Sequence, residues 1–179
     1  MRYENIADIF SANEKIRERL MMVLDGTTDE ERTARPAGEK WNIQQVVEHL
    51  SIVENGTMRI CQKLLTGAKA DGKQGDGSVS LNPTFGERST QIAGMRVEAP
   101  DRVQPSGDQT IDESIEKLKE YREAIVAFRD DLESYDLSSH RFPHPFMGDL
   151  TAAEWLIVVG GHEARHTKQI ERILSALRQ

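Results

Sequence analysis

The sequence predicts an all-α protein folded as a four-helix bundle, and three observations lead to that prediction. Apolar residues recur at helical spacing in four separate segments of the 179-residue chain. Two of these segments begin with a capping box, in which a threonine is followed three residues later by a glutamate. A long irregular stretch separates the second segment from the third, and such a crossover lets those two helices run in the same direction. We expect one domain over residues 1–179, because this length can bury a core of its own.

The first two helices are predicted from their apolar faces and their end signals. The first is expected at roughly residues 3–24 and the second at roughly residues 42–66. Asn13 lies on the apolar face of the first helix, which indicates a hydrogen-bonded buried amide, the edge of that face or a polar group directed at a site. Asn42 is the expected N-cap of the second helix, and Gly67 is its expected stop.

The last two helices each begin with a capping box, one at Thr110 and one at Thr151. The third helix is expected at roughly residues 110–134 and the fourth at roughly residues 151–177, because apolar residues follow both boxes at helical spacing.

The crossover is expected to be a long irregular loop at about residues 67–109. Its first part, residues 67–78, is rich in glycine and polar residues, and we interpret it as a loose insertion whose shortening changes stability little. Its later part contains three prolines, and short extended pieces are expected near residues 90–97. A loop of this length in a compact domain is usually functional or partly disordered.

Two histidines lie one helical turn apart in the fourth helix. His162 and His166 have the spacing at which one helix can present two imidazoles to a single metal ion. His49 lies between Val46 and Val53 on the second helix, so it is expected to face the interior as well. Burying each imidazole without a partner is unfavourable, and a shared metal ion supplies one. The sequence therefore predicts a divalent-metal site of His49, His162 and His166 with one coordination position open.

Two other metal architectures share parts of this pattern. Residues 162–166 match the H-E-x-x-H motif of zinc proteases, but Arg172 and Gln169 occupy the positions of the further histidine and the glycine. A di-iron bundle needs two Glu-x-x-His motifs, and Val46 stands where the glutamate before His49 would be. The di-iron architecture is therefore set aside, and the protease pattern is disfavoured.

Glu163 has two interpretations. Its position about 100° around the helix from His162 places it near the edge of the site, where it could take a proton as a catalytic base. Alternatively, it forms an ion pair at the surface or between helices, with Arg165 or Arg59 as its partner. The first interpretation makes Glu163 the candidate catalytic residue.

Other chemically distinctive residues are given structural roles. His140 and His144 lie in a proline-containing segment, where we expect packing or hydrogen bonding and not metal binding. Cys61 is expected to fill apolar space, and Trp41 and Trp155 to pack in the core or line a pocket.

Composition limits the classes of partner. The formal net charge is −7, and a protein of this charge is not expected to bind nucleic acid. No apolar run reaches the roughly 18 residues that a membrane helix needs, so no membrane partner is expected. The N-terminus lacks the layout of a signal peptide and the chain has one cysteine, which favours the cytoplasm. We expect a small-molecule substrate and assembly as a homodimer.

Two blocks of residues resemble the motifs of a known family. Residues 41–50 (WNIQQVVEHL) resemble the second-helix motif of the DinB-like superfamily. Residues 143–155 (PHPFMGDLTAAEW), followed by residues 162–170 (HEARHTKQI), resemble its last loop and fourth helix. The resemblance extends over nearly the whole chain, apart from the Gly-rich segment near residues 67–80.

The resemblance implies a four-helix bundle with one long crossover and a divalent metal, zinc or nickel, held by His49, His162 and His166. Characterised relatives include enzymes that use the thiols bacillithiol, mycothiol or glutathione. A metal-dependent thiol S-transferase or hydrolase acting on a small molecule is therefore expected, with a low-molecular-weight thiol as a further ligand. The alternative is a non-catalytic protein that binds or senses a metal or a small molecule.

Overall fold

The computed structural model describes residues 3–95 and 98–179. This part of the chain contains one 3₁₀ turn, Asp101–Val103, and an antiparallel hairpin of β1 (Phe142–His144) and β2 (Gly148–Leu150). Its helices are α1 (Ile6–Asp25), α2 (Asp29–Thr33), α3 (Ile43–Asp71), α4 (Phe85–Gly94), α5 (Ile111–Ala127), α6 (Arg129–Ser134) and α7 (Ala152–Leu177).

The long helices α1, α3, α5 and α7 form a four-helix bundle, as the sequence predicts. Contacts between α3 and the α5–α6 pair advance together along the chain, from Glu54 with Arg122 to Lys69 with Asp131. Contacts between α1 and α7 also advance together. The second and third long helices therefore run in the same direction, and the connection between them is a crossover.

Each long helix begins with a capping box. Thr110 and Thr151 accept hydrogen bonds from the backbone N–H groups three residues later, as predicted. Asn5 and Asn42 make the same arrangement at the starts of α1 and α3.

The helix α3 is longer than predicted. It continues through Gly67, the expected stop, and ends at Asp71, after which Gly72 has the left-handed backbone (φ 68°) of a C-cap. Gly67 has a packing role, because a Cβ atom there would lie 2.7 Å from the ring of His140. In the sequence, a glycine needed for close contact cannot be distinguished from one that ends a helix.

The third predicted helix is divided in two. Phe128 (φ −108°, ψ 18°) separates α5 from α6, and its N–H bonds to the Ile125 carbonyl in a tight turn. Leu132, beyond the break, is fully buried. The break leaves the apolar spacing unchanged, which is why that spacing predicts one continuous helix.

The later part of the crossover contains a helix where extended pieces were expected. The expectation for residues 90–97 is wrong as far as Gly94, because α4 extends to that residue; residues 96–97 lie outside the described part of the chain. Arg165 of α7 donates a hydrogen bond to the Ile92 carbonyl in the last turn of α4. Such a tertiary contact at a helix C-terminus has no signal in the local sequence.

The Gly-rich segment is packed, which corrects its interpretation as a loose insertion. The Gly77 carbonyl accepts a hydrogen bond from the N–H of Ile6 at 2.9 Å, and the Gly75 N–H donates to the Ser134 carbonyl at 2.8 Å. A Cβ atom at Gly75 would lie 2.7 Å from the carbonyl oxygen of Tyr135. The segment joins the start of α1 to the end of α6, so its removal is now expected to lower stability.

The core has two apolar clusters, one on each side of a layer of buried charged residues. The first cluster includes Ile9, Cys61, Ile125 and Leu156, and the second includes Leu20, Leu50, Leu118 and Ile170. Each long helix contributes one residue to the layer between the clusters: Arg17, Glu54, Arg122 and Glu163, all at most 9% exposed. In the described residues, no helix is both long and apolar enough to cross a membrane.

Candidate metal centre

The three predicted histidines meet where α3 packs on α7. One ring nitrogen of each lies within 4.8 Å of the other two, and the Nε2 atoms of His49 and His162 are 3.1 Å apart. The ring centroids are 4.5 to 5.0 Å apart. The structure thus brings together His49, His162 and His166, the three histidines of the metal site predicted from the sequence.

The crossover determines the tautomer of His49. Its Nδ1 lies 2.6 Å from the carbonyl oxygen of Val103 in the 3₁₀ turn. Because a carbonyl oxygen can only accept, Nδ1 carries the proton, and the neutral ring has a lone pair at Nε2. That lone pair points toward His162.

A polar chain determines the tautomer of His166. Its Nδ1 lies 2.7 Å from Oε1 of Gln169, and Nε2 of Gln169 donates to a carboxylate oxygen of Glu39 at 3.3 Å. The carboxylate fixes the orientation of the amide, since only the NH₂ group can donate to it. His166 therefore also has a lone pair at Nε2.

His162 is the third ring of the cluster, and one of its ring nitrogens is unsatisfied. Within the described residues, its Nδ1 is buried and has no hydrogen-bond partner. Two Nε2 atoms at 3.1 Å, as in His49 and His162, require a proton or a cation between them. A cation bound by all three rings would satisfy the convergent lone pairs together.

The surroundings keep these rings neutral. Burial, followed by the positive charges of neighbouring groups, lowers the pKa of His166 to about 4 and that of His162 well below its ordinary value. Burial also lowers the pKa of His49, although the Val103 carbonyl opposes this shift. Neutral imidazole is the form that coordinates a metal, so these three rings could hold an ion at neutral pH without first losing a proton.

The residues fit a divalent ion. Zinc binds histidine nitrogen at about 2.0–2.1 Å, which places two tetrahedral ligand atoms about 3.3 Å apart. The observed 3.1 Å between His49 and His162 is close to that separation. Imidazole donors suit zinc and nickel, and the acceptors at Nδ1 of His49 and His166 are typical outer partners of metal-bound histidine.

The crossover is attached beside the cluster. Glu48, adjacent to His49, accepts hydrogen bonds from the backbone N–H groups of Ser106 and Gly107 at 2.7 and 2.9 Å. The ring of Trp41 lies 4.8 Å from that of His49, so this tryptophan lines the site as well as the second apolar cluster.

Glu163 lies in the charged layer. It is 2% exposed, and both of its carboxylate oxygens accept hydrogen bonds from Arg17, one of them also from Arg122. Glu163 thus forms an ion pair between helices, as the second interpretation predicts, but with other arginines than predicted. Arg165 binds backbone carbonyls of the crossover, and Arg59 binds Asn55. Catalysis by Glu163 stays a prediction.

The remaining candidates have structural contacts. His140 bonds to Asp71 at 2.8 Å. His144 accepts two backbone N–H groups at Nδ1, and its ring lies 5.0 Å from that of Trp155. Asn13 is a buried amide whose Nδ2 bonds to the Leu156 carbonyl.

Sequence reasoning missed the groups that orient the histidines. Gln169 follows His166 by three residues on one helix, and that spacing could have identified it. Val103 acts through its backbone carbonyl and Glu39 lies in a distant loop, so neither has a local signal.

A family model described as the DinB superfamily matches residues 12–170. The chain belongs to the DinB superfamily. It is also similar to the uncharacterized protein YuaE of Bacillus subtilis (strain 168), with 27% identity over 151 residues that cover 84% of this chain and 87% of YuaE. Among solved structures it is similar to TT2238, described as a four-helix bundle protein, with a TM-score of 0.59. That match is 20% identical and covers 93% of this chain and 98% of TT2238, and it shows the fold alone.

The DinB-superfamily match and the geometry concern the same part of the molecule. The matched region contains all three clustered histidines together with Val103 and Gln169.

Proposed function

We propose that this DinB-superfamily protein binds one divalent metal ion, zinc or nickel, through Nε2 of His49, His162 and His166, and acts as a metal-dependent thiol S-transferase or hydrolase. The observation that carries the proposal is the convergence of three ring nitrogens, two of them left with a lone pair by the hydrogen bonds at Nδ1. The chemistry supplied by such an ion is a lower pKa for a thiol or a water molecule in the remaining coordination position.

The residues around the cluster prepare the ligands. Val103 and Gln169 hold His49 and His166 in one tautomer and one ring orientation, so binding does not have to reorganise them. Burial keeps the imidazoles neutral. The ligand set is thus arranged before an ion arrives.

The crossover covers the side of the site on which we propose that the substrate binds. Glu48, next to His49, binds the crossover through Ser106, and Arg165, next to His166, binds it through the carbonyl of Met95. We propose that an electrophilic small molecule is held beneath this segment, where exclusion of water favours attack by a thiolate. A free thiol has a pKa of about 8.5, so activation by a metal would matter at neutral pH.

Elemental analysis of protein purified without a histidine tag is the first test. We expect one zinc or nickel ion per chain in the wild type, and loss of that ion with at least a hundredfold loss of affinity in His162→Ala. His140→Ala is the matched control, because it removes an imidazole that lies outside the cluster. A wild type without metal, or a His162→Ala variant that keeps it, contradicts the proposal.

A conjugation screen with bacillithiol, mycothiol and glutathione then separates an enzyme from a binding protein. An enzyme turns over an electrophile, and His162→Ala lowers that turnover by orders of magnitude while circular dichroism shows an intact fold. Controls without thiol detect hydrolysis by activated water. Two results together would favour the non-catalytic alternative: metal binding without turnover, and a spectrum of the Co²⁺-substituted protein that does not change when thiol is added. An unchanged spectrum means that no coordination position is open to the thiol.

A further inference from the structure

The charged layer of the core is a closed ring of ion pairs. Arg17 of α1 and Arg122 of α5 each contact both Glu54 of α3 and Glu163 of α7. The contacts of Arg17 Nε and Arg122 Nε are 2.8 Å long, and that of Arg122 Nη2 with Glu163 is 3.1 Å. All four charges are paired, so the layer is neutral inside the apolar core.

The two arginines also link α1 to α5. Arg17 Nη1 donates to the Leu118 carbonyl at 3.0 Å, and Arg122 Nη1 donates to the Asn13 carbonyl at 3.2 Å. Each arginine thus binds the carbonyl four residues before the other arginine. A surface groove of about 420 Å³ lies between these helices and is lined by both arginines.

The ring lies next to the histidine cluster on both helices that supply it. Glu163 directly follows His162, and Glu54 follows His49 by five residues, about 7.5 Å along the axis of α3. The helices α3 and α7 therefore present their carboxylates to the same two arginines and their imidazoles to one another.

Ion pairs and apolar contacts restrain helix position differently. Apolar faces tolerate sliding, whereas charged hydrogen bonds are directional and a buried unpaired charge is strongly unfavourable. A slide of α7 by one turn, about 5.4 Å along its axis, would keep its apolar stripe facing the core, but it would break contacts of 2.8 Å and separate the Nε2 atoms of His49 and His162.

We propose that the ring of Arg17, Glu54, Arg122 and Glu163 sets the axial register of α7 against α3 and so holds the three imidazoles at metal-binding distance. Glu54 and Glu163 are then positioning residues of the metal centre. This inference rests on the metal binding proposed above. It assigns to Glu163 a role that needs no contact with substrate.

The experiment compares metal binding by folded variants. Metal-free wild type, Glu54→Gln and Glu163→Gln are titrated with Zn²⁺ against a chelating dye and with Co²⁺ by absorption. We expect the zinc affinity of both variants to fall 10- to 100-fold and their Co²⁺ bands to change in position and intensity, because the ligand geometry changes. Leu132→Ala is the control: it removes a fully buried side chain of α6, outside the ring.

A purely stabilising ring gives a different result. In that case Glu54→Gln, Glu163→Gln and Leu132→Ala all lose thermal stability. The folded variants keep their zinc affinity within twofold and their Co²⁺ band unchanged. Leu132→Ala is expected to give this result in either case. Arg122→Lys keeps the charge and loses the fork that reaches both carboxylates, so it tests the ring with less risk to folding. We expect a smaller affinity loss in the same direction.

The outcomes separate the two proposals. Unchanged affinity and spectra in folded Glu54→Gln and Arg122→Lys overturn the positioning role and leave the metal site standing. A wild type that binds neither Zn²⁺ nor Co²⁺ overturns both.

Discussion

Cys61 shows how a single residue limits the chemistry. It is fully buried, and burial raises the pKa of its thiol to about 12. At pH 8 the reactive thiolate is therefore present at roughly one part in ten thousand. The thiol in the proposed reaction must consequently come from a small molecule and not from the chain.

We expect Cys61 to be unreactive in the native protein. Ellman's reagent at pH 8 should label less than a tenth of the chains within an hour, and 6 M guanidinium chloride should expose one thiol per chain. Cys61→Ser gives the background reading. Rapid labelling of the whole native sample would mean that Cys61 is exposed and ionised. Its thiol would then again be a candidate nucleophile for the proposed reaction.

The residues of the cluster could be predicted from the sequence more easily than their partners. The spacing of His162 and His166 determines their shared face, and apolar neighbours of His49 indicate its direction. The partners of Glu163 could not be predicted, because Arg17 and Arg122 are 146 and 41 residues away. Pairing over such distances depends on how the helices are arranged.

At the scale of one element, α7 contains two adjacent glycines with opposite environments. A Cβ atom on Gly160 would lie 2.0 Å from Oδ1 of Asn13, whose amide bonds to the Leu156 carbonyl. A Cβ atom on Gly161 would have no atom within 4 Å. Gly160 therefore lets α1 approach α7, whereas Gly161 has no such packing role.

Alanine at these two positions should have opposite effects on stability. We expect Gly160→Ala to lower the free energy of unfolding by roughly 1–3 kcal/mol, because Asn13 must give up its hydrogen bond or α1 must move. Gly161→Ala should raise it by up to about 1 kcal/mol through helix propensity. Urea denaturation of both variants measures this, and effects of the same sign would show that α1 does not pack closely at Gly160.

Local signals predicted where elements begin better than where they end. Each capping box lies within four residues, so Thr110 and Thr151 were identified correctly. Where α3 continues past Gly67 and where α4 ends, the contacts are with His140 and with Arg165, which lie elsewhere in the chain. Termini set by tertiary contacts are the part of this fold that one sequence does not reveal.

For the whole molecule, the histidine cluster connects stability to pH. In the folded protein without metal, burial lowers the pKa of His49, His162 and His166, to about 4 for His166. In the unfolded chain each returns to about 6.5. Between these values the unfolded state binds more protons, so stability is fully present above pH 6.5 and is lost as the pH falls toward the folded-state pKa.

We therefore expect the metal-free protein to lose stability between pH 7.5 and pH 5. For a pKa change from 6.5 to about 4, His166 alone accounts for roughly 2 kcal/mol over that range. Denaturant midpoints measured in the presence of a chelator should be constant above pH 7 and fall below pH 6.5, before ordinary carboxylates titrate. His166→Gln removes one of the three groups, so its stability should fall less steeply. A midpoint that rises on acidification would mean that the folded protein binds these protons more tightly than the unfolded chain, and that the imidazoles are not held neutral in the bundle.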